Sequence, residues 1–141
     1  MTAAQQKEID IATKKGIDTT LFNDPHFSAK QMHEIRMGLE EGIDASIYAF
    51  PHYELEKMQT YRMVLGTNLY FGTDIPVESL FNDLNAKECT ALYKLIFDDY
   101  TGRGWQPRFD LHNPIERETL KQRAINSVRE PNRNTNTNIE R

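Results

Sequence analysis

The sequence predicts an all-α fold of short helical repeats stacked as antiparallel helices, followed by a C-terminal helical segment. The first observation is an internal repeat: GIDTTLFNDPHF begins at Gly16 and GIDASIYAFPHY begins at Gly42, 26 residues later. Residues 16–41 and 42–67 align without gaps and are identical at nine of 26 positions. The second observation is that helix-capping residues and apolar residues recur at helical spacing within each copy.

Each repeat is predicted to contain one long helix and a connecting segment. Ser28 with Gln31 has the pattern of a capping box, in which each side chain bonds the backbone of the other residue. Gly42 is placed to end the helix, because glycine tolerates the left-handed conformation. Asp44 is placed to cap a short helical turn that Pro51 ends.

The same register extends towards the start of the chain. Thr2 lies 26 residues before Ser28 and Gln5 lies 26 before Gln31, which predicts a second capping box. Long helices are therefore expected at about residues 3–15, 29–41 and 55–66, and the third copy departs from the repeat after Asn68.

The rest of the chain is also predicted to be helical. Asp74 precedes a short helix, and a capping box of Asn85 with Glu88 precedes the amphipathic run AKECTALYKLIFDDY. A last helix is expected near residues 114–129, with Pro114 at the favoured first position. The predicted organisation is a repeat region (1–72), a C-terminal helical region packed on it (73–130) and a disordered tail (131–141).

Composition limits the classes of function. Residues 1–100 carry a net charge of −7 and residues 101–141 carry +3, so the main body does not resemble a nucleic-acid-binding surface. The N-terminal residues lack a signal-peptide pattern, no apolar run is long enough to span a membrane, and Cys89 is the single cysteine. We therefore expect a cytoplasmic protein without membrane association.

The repeat resembles a tandem helix-loop repeat found in uncharacterised proteins of Gram-positive bacteria, often encoded on conjugative elements, plasmids or phages. The segments GIDASIYAFPHY and QMHEIRMGLEEG carry the resemblance, which covers about residues 16–66, with departures at Lys57 and Tyr61. The resemblance implies an association with mobile DNA and with its conflict with host defence. It implies no defined chemistry.

The sequence shows no catalytic, cofactor or metal signature, so we expect a non-enzymatic protein without a cofactor. His26 and His52 occupy the same position after the repeat proline, and we interpret them as structural corner residues rather than metal ligands. Cys89 lies on an apolar stripe, which favours a buried thiol over a nucleophile. The repeat methionines (Met32, Met37, Met58 and Met63) are interpreted as core residues rather than as an adaptable binding groove.

Two groups of residues are candidates for binding a partner protein. Arginine and tryptophan dominate interface hot spots, which singles out the loop after the amphipathic helix together with the two acids before it: Asp98, Asp99, Arg103, Trp105 and Arg108. The second group is Arg36 and Arg62, at equivalent positions of the repeat. They either face a partner or, as we favour, form salt bridges to repeat acids such as Asp18 and Asp44.

Two functions compete on this evidence. The first is a stoichiometric protein-interaction module from a mobile element, with inhibition of a host CRISPR nuclease (an anti-CRISPR protein) as its specific form. The alternative is a nucleic-acid-binding accessory protein that uses Arg103, Arg108, Arg117, Lys121, Arg123 and Arg129. A homodimer remains open, because a short array of repeats leaves an unpaired end.

Overall fold

The computed structural model describes residues 1–102 and 109–129, and of residues 99–102 it describes the backbone alone. The described residues form six α-helices and one 3₁₀ turn and contain no strand, which confirms the predicted all-α class. The chain divides into two compact units, and the second begins at Glu78. The predicted tail, residues 131–141, lies outside the described residues.

The first two helices begin at the capping boxes that the sequence predicts. Helix α1 (Ala3–Lys14) follows Thr2, and helix α2 (Ala29–Glu41) follows Ser28; in both, the cap side chain accepts the backbone N–H three residues later and a glutamine returns the bond. Gly42 ends α2 with a φ of 84°, in the left-handed region that glycine adopts without strain.

Helix α3 (Leu55–Phe71) is longer than its equivalents in the repeat. The sequence predicts an end near residue 66, whereas the helix continues to Phe71 and stops at Gly72, which has a φ of 67°. The physical reason is that residue 68, which corresponds to Gly16 and Gly42, is an asparagine. Without a glycine at the stop position, the helix gains one further turn.

The first three helices run in broadly the same direction, so the predicted antiparallel arrangement is wrong for them. Gln5, near the start of α1, bonds the backbone carbonyl of Phe27, just before α2 begins. Lys15, at the end of α1, pairs with Glu40, at the end of α2. Parallel neighbouring helices need a connection that returns along the full length of the first helix. Residues 15–28, between α1 and α2, form this connection.

The connecting segments are held by side chains that bond the neighbouring backbone. Asp44 accepts the backbone N–H of Ser46 at the start of the 3₁₀ turn Ala45–Ile47, as predicted. Asp18, at the equivalent position, accepts the backbone N–H and the hydroxyl of Thr20. These bonds hold the pKa of Asp18 below its ordinary value, with the Thr20 hydroxyl as the larger cause.

The core of the first unit lies between the three helices and their connections. Its largest fully buried side chains include Phe22, Met32, Ile35, Tyr48, Met58 and Tyr61. The prediction that the repeat methionines are core residues is thus confirmed for Met32 and Met58. It is wrong for Met63, which is exposed, and Met37 is only half-buried.

The second unit contains helix α5 (Ala86–Gly102) and helix α6 (Pro114–Arg129), which pack against each other. The short helix α4 (Val77–Phe81) begins at the last residue of the first unit. Asn85 and Glu88 form the predicted capping box, and Asn113 caps α6 directly before Pro114. Cys89 is buried, as its position on the apolar stripe predicts.

Within the described part of the chain, no helix combines the length and the apolar composition needed to cross a membrane.

Candidate functional site

Consecutive helices of the first unit are joined by the same hydrogen bonds, repeated at an offset of 26 residues. The Gln5 side-chain amide donates to the carbonyls of Pro25 (3.1 Å) and Phe27 (2.6 Å). The Gln31 amide donates to the carbonyls of Pro51 (3.1 Å) and Tyr53 (2.8 Å). Each glutamine therefore caps its own helix and also holds the corner that leads into the next one.

Each of these helix-to-helix contacts, which we call joints, also contains an ion pair. Arg36 Nε lies 2.7 Å from a carboxylate oxygen of Glu8, and a second guanidinium nitrogen pairs with Glu40. In the next joint, Arg62 Nε lies 2.6 Å from Glu34. Burial opposes the charge on Arg36, but its hydrogen bond to Glu8 and the charges of both glutamates outweigh this and raise its pKa.

The repeat arginines thus form salt bridges, but their partners are not the acids that the sequence predicts. Arg62 pairs with Glu34 and Glu41, whereas Asp44 bonds Ser46 in its own connecting segment. The same holds for Arg36, whose partners are Glu8 and Glu40 rather than Asp18. Because Arg36 is buried and both arginines are paired within the unit, we do not retain them as partner-binding residues.

The two repeat histidines lie at the corners of the connecting segments. The His26 ring nitrogen Nδ1 lies 2.7 Å from the Asp24 carboxylate, and the backbone N–H of His26 bonds the same oxygen. The backbone bond and the ring contact, in that order, hold the pKa of Asp24 low. His52 contacts the rings of Phe50 and Tyr53. Among the described residues, no three His, Cys, Asp or Glu side chains are placed to hold a metal ion.

The residues predicted to bind nucleic acid differ in how far their charged groups are accessible. Lys121 is buried, and its ammonium group bonds the Ser79 carbonyl at 3.0 Å and the Asp83 carboxylate at 2.9 Å, so it is not available to phosphates. Arg117 is half-buried and donates to the Leu111 carbonyl. On α6, Arg123 and Arg129 are exposed.

The candidate partner-binding loop after α5 falls mostly outside the described residues. This applies to Arg103, Trp105 and Arg108 and to the side chain of Asp99. Asp98 is described, and it is exposed on α5. The predictions for this loop stay predictions.

The structure shows a surface that sequence reasoning missed: three consecutive exposed apolar residues in the last turn of α3. Leu69, Tyr70 and Phe71 are 53%, 67% and 64% exposed. We name these three residues the exposed apolar turn. Met63, one or two turns earlier on the same helix, is also exposed.

The exposed apolar turn coincides with the departure from the repeat. Leu69 corresponds to Ile43, which is buried, and Tyr70 corresponds to Asp44, which caps the 3₁₀ turn. In α3 the chain is still helical at these positions, so the apolar side chains point outward instead of entering the connecting segment. The signal in the sequence was the replacement of Gly by Asn68 directly before an apolar and aromatic run.

Helix α3 also lacks the groups that join one repeat to the next. At the positions of Gln31 and Glu34 it carries Lys57 and Thr60, both buried. The Lys57 ammonium lies 4.1 Å from the centre of the Tyr53 ring. The third helix therefore offers neither the amide nor the carboxylate that a further repeat of this kind would need.

Charged groups near the exposed apolar turn are mostly acidic. The described acids at the C-terminal ends of α2 and α3, and in the ion pairs that reach these ends, are Glu8, Glu34, Glu40, Glu41, Asp44 and Asp74. The described cations paired with them number three, since Arg36 bonds Glu8 and Glu40, Arg62 bonds Glu34 and Glu41, and Lys15 bonds Glu40. The site is thus an apolar turn in acidic surroundings.

Comparisons of the chain with protein-family models, with curated proteins and with solved structures gave no match. The resemblance to a repeat of mobile-element proteins therefore stays a prediction.

Proposed function

We propose that the chain is a non-enzymatic protein-binding module and that the exposed apolar turn is its contact surface. The observation that supports this most directly is the exposure of three consecutive apolar residues around the last turn of α3, Leu69, Tyr70 and Phe71, each by more than half. Single exposed apolar residues are ordinary, whereas larger exposed apolar groups are typical of binding surfaces.

The composition of the turn suits a protein partner. Tyrosine is enriched among the residues that dominate interface energetics, because its ring buries a large area and its hydroxyl still finds a polar partner. The turn lies at the end of a helix whose other face is packed in the core through Met58, Tyr61 and Val64. A rigid support of this kind lowers the entropic cost of binding.

The resemblance to mobile-element proteins supplies the specific form of the proposal. A small module of this kind, encoded on a mobile element in a Gram-positive host, would act in the cytoplasm by stoichiometric binding. A host CRISPR nuclease is then the first partner to test, and the module would be an anti-CRISPR protein.

Capture from a Gram-positive host lysate tests the proposal. Tagged wild-type protein is compared with the double variant Leu69→Ser/Tyr70→Ser, and half of each lysate is treated with nuclease. We expect a protein partner in stoichiometric amount with the wild type, in both halves, and a loss of at least about tenfold with the double variant. Purified CRISPR nuclease with guide RNA and target DNA is assayed in parallel for inhibition of cleavage.

Ile115→Ser is the matched control, because Ile115 is 79% exposed but lies on α6 in the other unit. Capture that is equal for the double variant and the wild type contradicts the proposal. Partners that disappear with nuclease, and also with Arg123→Ala/Arg129→Ala, assign the function instead to nucleic-acid binding by α6.

A further inference from the structure

We propose, on the basis of the proposed function, that the partner presents a basic surface with an apolar pocket to the exposed apolar turn. The exposed apolar turn supplies the anchor, and the acidic groups around it select the charge of the partner. Three features carry this inference: the arrangement of the helix ends, the distribution of formal charge, and the internal use of the cations.

The C-terminal ends of α2 and α3 lie on the same side of the first unit. The Leu69 Cδ2 atom would lie 3.8 Å from a Cβ added at Gly42, the residue that ends α2, so the turn is next to that helix end. A helix C-terminus carries partial negative charge from its unpaired carbonyls. Neither α2 nor α3 has a basic residue of its own in the last turn, and Lys15, which reaches the end of α2 from α1, is paired with Glu40.

Formal charges add to the helix ends. Asp44 is exposed three residues after the end of α2, and Asp74 is exposed three residues after the apolar turn. Arg62 is the nearest cation in the joint between these helices, but it faces two carboxylates, those of Glu34 and Glu41, so the cluster keeps a net negative charge. A basic partner would therefore find a favourable potential around the apolar anchor.

The same charges argue against a second copy of the chain as the occupant. In a two-fold dimer the same patch faces itself, so the acidic groups of one copy would lie opposite those of the other. Like charges placed together across an interface oppose association. A basic partner relieves this repulsion, whereas self-association increases it.

Defined peptides test the charge of the partner without knowledge of its identity. The probes are an amphipathic helical peptide of Leu and Lys, a twin with Glu in place of Lys, and a twin with Ser in place of Leu. Binding to the full chain is followed by backbone amide NMR shifts. We expect the Leu–Lys peptide to shift amides at residues 41–44 and 68–74 and to bind at least about tenfold more tightly than either twin at low salt. Its affinity should fall as the salt concentration rises.

Charge-neutral variants provide the matched comparison. Asp44→Asn/Asp74→Asn should weaken binding of the Leu–Lys peptide severalfold, whereas Asp10→Asn, an exposed acid in the middle of α1, should not. Equal binding of the Leu–Lys and Leu–Glu peptides, or shifts confined to other residues, would overturn the inference.

Failure of the inference is distinguishable from failure of the proposed function. If the exposed apolar turn captures a protein but the peptides show no charge preference, the binding function stands and the basic partner is wrong. If the turn captures no protein and no peptide shifts its amides, the proposed function itself is wrong. A dimer at NMR concentration that Leu69→Ser/Tyr70→Ser dissociates would assign the surface to self-association.

Discussion

Tyr48 shows how a single glycine determines the packing of the first unit. Its hydroxyl donates to the backbone carbonyl of Glu34 at 2.7 Å, and burial raises the pKa of this tyrosine. The ring reaches that carbonyl across Gly38, where a Cβ would collide with the hydroxyl and lie 3.3 Å from the Ala45 Cβ. Helix α2 therefore carries a glycine in its interior, at a cost in helix propensity, because the tyrosine needs the space.

Gly38→Ala should destabilise the protein by about 2–3 kcal/mol, since it displaces a fully buried ring and leaves buried polar groups unsatisfied. Gly66→Ala is the control, because its Cβ would meet nothing closer than a Glu41 oxygen at 3.8 Å. That variant should be neutral or more stable by up to about 1 kcal/mol. Urea unfolding measures both, and equal effects would contradict this account of Gly38.

At the scale of the element, the sequence predicts helix starts far better than helix directions. Capping boxes at Thr2 and Ser28 are local signals, and the structure has both helices where these signals place them. Direction depends on how the chain returns between helices. The 26-residue period is compatible with parallel helices, because a connection of about 13 residues can span a helix of about 18 Å and begin the next helix at the same end.

The ion pairs and the candidate surface show the limits of sequence reasoning. The sequence predicts Arg36 as an ion-pair residue, but its partner Glu8 lies 28 residues away on a parallel helix, and an antiparallel arrangement does not suggest this pair. The exposed apolar turn was missed for a different reason. Leu69 and Tyr70 look like core residues until the helix that carries them is known to extend past the repeat boundary.

Gln31→Ala should destabilise the protein by about 1–3 kcal/mol, because it removes the capping-box bond and both bonds to the next corner. Gln6→Ala, on the exposed side of α1, should change the stability by less than about 0.5 kcal/mol. Thermal or urea unfolding compares the two variants. If Gln31→Ala is as mild as Gln6→Ala, the glutamine joints do not contribute to the stability of the fold.

At the scale of the whole molecule, the first unit has two different outer sides. The exposed part of α1 is polar, with Gln6 bonded to Asp10, whereas the end of α3 exposes an apolar turn in acidic surroundings. Exposure of Leu69, Tyr70 and Phe71 to water is unfavourable, and it is the observation on which the proposed binding function rests.

Leu69→Ser/Tyr70→Ser should leave the free energy of unfolding within about 0.5 kcal/mol of wild type, because neither side chain is buried. Urea unfolding of the full chain is the measurement, with Met58→Ala as the destabilising reference, since a fully buried Met58 should cost about 2–5 kcal/mol. A large loss of stability in the double variant would show that the turn serves the fold.

The parallel joints also allow a further repeat to be inserted into the first unit. Helix α2 takes part in two sets of contacts. Towards α1, Arg36 pairs with Glu8 and the corner before α2 accepts the bonds of Gln5. Towards α3, Gln31 bonds the corner before α3 and Glu34 pairs with Arg62. An in-frame duplication of residues 16–41 would therefore insert a further helix whose contacts on both sides already exist in the protein. Such a chain would place the exposed apolar turn farther from α1 without any change in the turn itself. If the turn binds a partner as proposed, duplication would change the reach of this surface without changing its composition.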